Sequence, residues 1–298
     1  MSNFDDIFSG QGDKPRWNDQ PFDKEAWAAK KQEERKELYA LADSTATETS
    51  KDGDRFRQYL DVQSRFSRYT PTNALLILAQ MPEATQLKDF DGWKEAGASV
   101  QRKPKSVKIL EPGKEYDRED GTRGTSFEVK RVYDVSQTRG RVRSAPAVKL
   151  DDRVLLKALI HRTPVPIQTV DSLPNNMGAM YDYNQQVIFV CRGMGAEDIF
   201  RSVSKELAHA ELAGTRQDYN RSDAAFAAYS ASYLLCKRYG VDVSDYNFSR
   251  LPASFRESSP QQVREILTEI RDTANQIATR MYRALEQNRA PKAKEQER

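Results

Sequence analysis

The chain has 298 residues, 38% hydrophobic and 31% charged, with a formal net charge of +3. That length is enough for two modest cores, and no run approaches the roughly 20 apolar residues that a membrane span needs. With only Cys191, Cys236, His161 and His209 as cysteines and histidines, a disulfide framework and a four-cysteine zinc site are excluded.

Residues 1–22 mix Gly, Asp, Asn, Pro and Ser without periodicity and are expected to be a disordered tail. They carry no basic flank followed by an apolar run, so no secretory leader is expected and the cytoplasm is the expected compartment. A charged helix is predicted from about Lys24 to Asp43, then a polar break over 44–54. The next helix sets Phe56, Tyr59, Leu60 and Phe66 on one face, with Arg55, Arg57, Arg65 and Arg68 on the other. Thr70-Pro71 is a helix start, an N-cap followed by proline at the first helical position, and that helix ends before Pro82.

Strands are predicted over 106–110 and 127–135, the second with Phe127, Val129, Tyr133 and Val135 on one face. The charged, glycine-containing 111–126 reads as a mobile hairpin loop between them. Residues 140–148 are basic and irregular, and a domain boundary is expected there. Beyond it come a helix over 154–160, strands over 164–170 and 180–190 with a turn at Tyr183-Asn184, and a helix over 197–213. A further helix over 222–239 is capped by Ser222 and ended by Gly240. Cys236 lies in its apolar run Tyr233-Leu234-Leu235-Cys236 and reads as a buried thiol. The last helix opens on Ser259-Pro260-Gln261-Gln262, a capping box. Its stripe of Val263, Ile266, Leu267, Ile270, Ala274, Ile277, Met281 and Leu285 packs either on the chain's own core or on a partner. A loose charged tail is expected after Ala290.

Two patterns bear on chemistry. Between residues 102 and 143 there are 12 Lys/Arg against 7 Asp/Glu, the local excess that accompanies an anionic partner such as nucleic acid. The second is Lys205-Glu206-Leu207-Ala208-His209. Zincin peptidases use His-Glu-x-x-His on a helix, two histidines holding zinc while the glutamate activates the metal-bound water. Here the first histidine position is Lys205, whose ammonium offers only donors and repels a dication. Without family knowledge the segment is ordinary helix sequence.

From Val154 onward the chain resembles the zincin-like domain of ArdC-type antirestriction proteins. The matching features include Asp171-Ser172-Leu173-Pro174, Ala179-Met180-Tyr181-Asp182, Glu206-Leu207-Ala208-His209 and Val243-Ser244-Asp245-Tyr246. The third zinc ligand of that family, a glutamate, falls at Tyr229. The resemblance thus implies that Lys205 and Tyr229 replace two of three ligands, leaving Glu206 and His209 as vestiges, with no bound metal or cofactor. The Lys205 ammonium is expected to fill the vacated position and pair with Glu206 or Glu211.

The first half is similar to the family's single-stranded-DNA-binding domain, through Phe66-Ser67-Arg68-Tyr69-Thr70-Pro71-Thr72-Asn73, Phe90-Asp91-Gly92-Trp93 and Tyr133-Asp134. Lys103-Pro104-Lys105 departs from the glycine-containing turn usual there. Sequence-tolerant strand binding needs cations for phosphates and rings for bases. The candidates are Arg65, Arg68, Lys94, Arg102, Lys103, Lys105 and Lys108, with Arg139, Arg141 and Arg143 as an outer group. Tyr69 and Trp93 are candidates for stacking; the alternatives are a helix staple for Tyr69 and a core anchor for Trp93. Asn73 either contacts a phosphate or base edge or serves local backbone groups.

The expected fold is α+β in two domains: a helix-plus-small-sheet DNA-binding domain over 23–145 and a zincin-like helix/sheet domain over 150–255. The amphipathic helix and tail of 256–298 follow. The expected function is single-stranded DNA binding, serving antirestriction for a mobile element, with an inactive peptidase-like domain. The alternatives are a metal-dependent hydrolase, or an interaction module that captures a protein through the last helix.

Overall fold

A computed structural model describes residues 23–117, 121–140 and 150–295. The expected tail at 1–22, most of the expected boundary segment, Arg141 and Arg143 all lie outside the described residues. The fold is α+β, with helices carrying most of the core and three small sheets on its margins.

The N-terminal half opens with α1 (Lys24–Lys51), whose start is capped by the Asp23 carboxylate. It is a single helix of 28 residues, so the break expected over 44–54 shrinks to Asp52. Burial overrides the polar composition. Ala42, Thr45, Ala46, Thr49 and Ser50 are buried, and the hydroxyls of Thr45, Thr47 and Ser50 donate to carbonyls three or four residues back, which keeps them compatible with a helix interior. Helix α2 (Gly53–Arg65) follows at once. A Cβ on Gly53 would stand 2.1 Å from the Phe248 carbonyl oxygen, so only glycine permits that approach. Helix α3 (Pro71–Gln80) starts as expected, Thr70 accepting from the Asn73 amide.

Short elements then frame a twisted ribbon: β1 (Leu87–Lys88), α4 (Phe90–Glu95), β2 (Ser99–Val100), β3 (Val107–Asp117), β4 (Arg123–Asp134) and β5 (Thr138–Arg139). The order is β1-β4-β3, antiparallel throughout, with β2 paired separately to β5. The segment expected to be loop instead continues the ribbon, Glu111 opposite Glu128 and Asp117 opposite Arg123, across an irregularity between Pro112 and Glu115. Cross-strand pairing carries a charged stretch whose faces are both wet.

In the second half, α5 (Asp152–Leu159) precedes β6 (Ile167–Val170), β7 (Ala179–Asp182) and β8 (Val187–Cys191). Their order is β6-β8-β7, with β6 parallel and β7 antiparallel to β8. Helix α6 (Ala196–Thr215) packs on this sheet, and α7 (Arg221–Tyr239) packs on α6. The cap of α7 is Asn220, not Ser222, accepting from the Ser222 and Asp223 amides, and Gly240 ends it at φ 71°. Cys236 is fully buried as expected, and burial pushes its thiol up to about 11.

One buried cluster joins the two halves, running from Ala46 to Ala284. Phe56 of α2 meets Phe226, Phe248 and Phe255 at 5.1–5.3 Å between ring centres. The turn α8 (Ala253–Arg256) supplies the last of these, and α9 (Pro260–Glu295) then crosses α1, α5 and α7. Ser259 and Gln262 form the expected capping box. Val263, Leu267, Ile270, Ala274, Ile277 and Met281 are fully buried. The apolar stripe is therefore spent on the chain's own core, which removes it as a docking face for a protein. Helix α9 reaches Glu295, where a loose tail was expected from Ala290. Among the described residues no helix is long and apolar enough to cross a membrane.

Candidate functional site

Two grooves meet at the turn between α2 and α3. The first, of about 380 Å3, is lined by Arg65, Phe66, Ser67, Arg68 and Tyr69 on one side and Thr85, Gln86 and Leu87 on the other. The second, of about 540 Å3, starts from the same Ser67 and Arg68 and runs between Arg238, Tyr239, Arg271, Asn275 and Tyr282. Arg68 belongs to both.

The turn is held rigidly. Buried Gln63 accepts from the Tyr59 hydroxyl at 2.9 Å and donates to the carbonyls of Phe66 and Tyr69. From α9, Arg271 donates to the Tyr69 carbonyl and Asn275 to the Ser67 carbonyl. Across the first groove, the Asp134 carboxylate accepts from the amides of Thr85 and Gln86 at 2.7 and 3.0 Å. Burial alone would raise that carboxyl, yet the amides of Ser136, Gln86 and Thr85 hold it below its usual range.

Arg68 is exposed, and Arg65 donates to the Pro82 carbonyl. Arg238 donates to Asn275 at 2.9 Å, while its buried Nε has no partner among the described residues and burial lowers its pKa. A partly desolvated guanidinium with a spare donor favours an anion. Arg271 is matched by Asp272. Tyr69 is half-buried against Phe66, 5.7 Å between centres, and Tyr282 is 59% exposed.

The other strand-binding candidates scatter. Asn73 is buried, its amide exchanging two 2.8 Å hydrogen bonds with the Leu110 backbone; it joins α3 to β3 and is turned into the interior, out of reach of a phosphate or base. Trp93 is fully buried, with Nε1 donating to the Tyr133 carbonyl at 2.8 Å, so it is the core anchor and not a stacking face. Lys108 pairs with Glu34 at 2.9 Å, a contact that lowers the Glu34 pKa. Lys94, Arg102, Lys103 and Lys105 are exposed but line neither groove; Arg139 is likewise exposed outside them. The loop carrying Arg102 to Lys105 is tied by Gln137 to the backbone that follows Asp134. Arg238, Tyr239, Arg271 and Tyr282, which complete the second groove, carry no local signal: basic residues in a last helical turn are ordinary.

The Lys-Glu-x-x-His segment lies on α6, facing the start of α7. Glu206 is fully buried. It accepts from the Tyr181 amide at 2.8 Å and the Arg221 guanidinium at 2.9 Å, with the Lys205 ammonium 3.6 Å away. Glu211 pairs instead with Arg280. Burial lowers the Arg221 pKa, but the hydrogen bond and charge of Glu206 together with Tyr219 outweigh it and the net shift is upward. His209 is buried, its Nδ1 3.0 Å from the Tyr219 hydroxyl; burial lowers its pKa to about 4 and raises Tyr219 to about 12. Tyr229 accepts from the Asn247 amide at 2.9 Å and packs at a tilt against Tyr246.

These side chains do not fit a catalytic dication. Two cations already neutralise the glutamate that would activate water, one imidazole remains, and Tyr229 is held by Asn247. Among the described residues no group of three His, Cys, Asp or Glu side chains converges to hold a metal. Arg221 was missed from sequence, although a cation in the first turn of a helix opposes the helix dipole and signals a tertiary partner.

No family model matches the chain. An uncharacterized Bacillus anthracis protein, pXO2-81, is 22% identical over 88% of this chain, which spans 55% of that protein's length. Among solved structures, the metal-free crystal structure of the antirestriction ArdC protein from plasmid R388 superposes with a TM-score of 0.51 at 17% identity, over 72% of this chain and 86% of that one. The Mn(II)-bound structure of the same protein gives 0.49 at 16% identity over 73% and 85%. Over the superposed 72% the chain thus has the α+β fold of the ArdC-type antirestriction proteins.

Proposed function

We propose that this chain binds single-stranded DNA in the paired grooves around Arg68, and that its zincin-like half works without metal and without peptidase activity. The observation that carries the reading is the meeting of two grooves at one exposed arginine. Arg65 and Arg68 come from one half of the chain and Arg238 from the other, while Tyr69, Tyr239 and Tyr282 line the same grooves. Cations along a track with interleaved rings are what unpaired strands need, because phosphates are met by charge and bases by any exposed π-face. The likeness to an antirestriction protein supports protection of incoming DNA as the setting.

The test is a salt series on single- and double-stranded oligonucleotides. The expected outcome is tighter binding to the single strand at every salt concentration. Equal affinity for both forms, or no binding at low salt, overturns the reading.

A further inference from the structure

The cleft above the Lys205–Glu206–Arg221 cluster lies apart from the strand-binding grooves and shares no lining residue with them. It measures about 450 Å3, within the usual span of small-molecule sites, about 300–1,000 Å3. Lys205, Arg221 and Arg250 line it, and no acid does. Behind them Glu206 is the one carboxylate paired with this cluster among the described residues, so three cations and one acid keep a formal charge of +2. Lys205 and Arg221 are 35% and 38% exposed, and Arg250 is exposed. All three stay reachable while one carboxylate serves two of them. The rings of Phe226 and Tyr229 form part of the wall, the latter fixed through its hydroxyl by the Asn247 amide.

We propose that this cleft binds the 5′-phosphomonoester of a nucleotide, the phosphate against Lys205, Arg221 and Arg250 and the base against Tyr229 and Phe226. Charge selects the ligand class. A phosphomonoester carries about −1.5 to −2 at neutral pH and matches the cluster, whereas a carboxylate or an internal phosphodiester leaves one cation unmatched. Guanidinium forks suit phosphate oxygens in paired hydrogen bonds, and the ring wall separates a nucleotide from inorganic phosphate. Lys205 and Arg221, the cations on either side of Glu206, thus give the cleft the chemistry of an anion site. Two sources offer this chemistry: a free nucleoside monophosphate and the phosphorylated end of a single strand.

Calorimetric titration of the full chain with thymidine monophosphate tests the proposal independently of strand binding. Saturable binding is expected at low salt, with thymidine and inorganic phosphate each at least about tenfold weaker. Arg250→Gln and Lys205→Gln should each weaken it by about fivefold or more, with the circular dichroism spectrum unchanged. Arg68→Ala should leave it untouched, which separates failure here from failure of the groove. In Arg68→Ala protein, tighter binding of a 5′-phosphorylated oligothymidylate than of its 5′-hydroxyl form assigns the strand end; equal affinity assigns the free nucleotide. No saturable binding, binding indifferent to Arg250→Gln, or tighter capture of a phosphoserine peptide overturns the proposal.

Discussion

Replacing Arg68 by alanine is the sharpest probe of the proposed strand-binding groove, because that one arginine lines both of its arms. Arg65, Arg68 and Arg238 have no acidic partner among the described residues, whereas Arg271 is cancelled by Asp272. Three phosphates neutralised on a single strand correspond to a slope of log K against log salt of about −2, since each contributes about 0.7. Raising salt from about 50 to 200 mM should then weaken the wild type about 20-fold, and Arg68→Ala, with a slope near −1.4, only about 7-fold. Fluorescence anisotropy of a labelled oligothymidylate across that range reads both slopes. A variant slope equal to the wild-type value means that Arg68 touches no phosphate, and the groove assignment fails.

Asn73→Ala should act on stability instead. It leaves the buried Leu110 amide and carbonyl without partners and is expected to cost about 2–3 kcal/mol in urea denaturation, with the salt slope of DNA binding unchanged; a lost slope would return Asn73 to the interface. His209 makes stability pH-dependent. Its folded pKa of about 4 lies below the unfolded value of roughly 6.5, so the unfolded chain binds the extra proton. That contribution is complete above the unfolded value and is lost as pH falls toward 4, about 3 kcal/mol in all. His209→Gln should remove this slope between pH 7 and 4.5, and a wild type showing no excess loss over the variant contradicts a buried neutral imidazole. Finally, metal analysis of the wild type should find no stoichiometric zinc, while Lys205→His with Tyr229→Glu should bind about one per chain if those two positions are the lost ligands. An unresponsive double variant would remove Lys205 and Tyr229 as lost ligand positions.

What could be read from the chain alone was local. Thr70-Pro71, Ser259-Pro260-Gln261-Gln262 and the 3.6-residue stripe of the last helix each depend on neighbours within a turn or two, and the structure keeps all three. The charge and donor chemistry of Lys205 could be read too, since they belong to the residue itself; the structure sets its ammonium 3.6 Å from Glu206. Residue roles that depend on burial were not legible. Trp93 and Asn73 have the composition of a binding site, and only the tertiary packing against Tyr133 and Leu110 turns them into interior joints. Thr45, Thr49 and Ser50 look like a break until burial makes them helix interior. The second groove is the extreme case: Arg68 and Arg238 are far apart in the chain, and α9 brings them onto one surface by burying a stripe that says nothing of where its polar face will lie. Capping and periodicity are short-range and written in order along the chain, whereas desolvation and charge pairing exist only once distant segments have met.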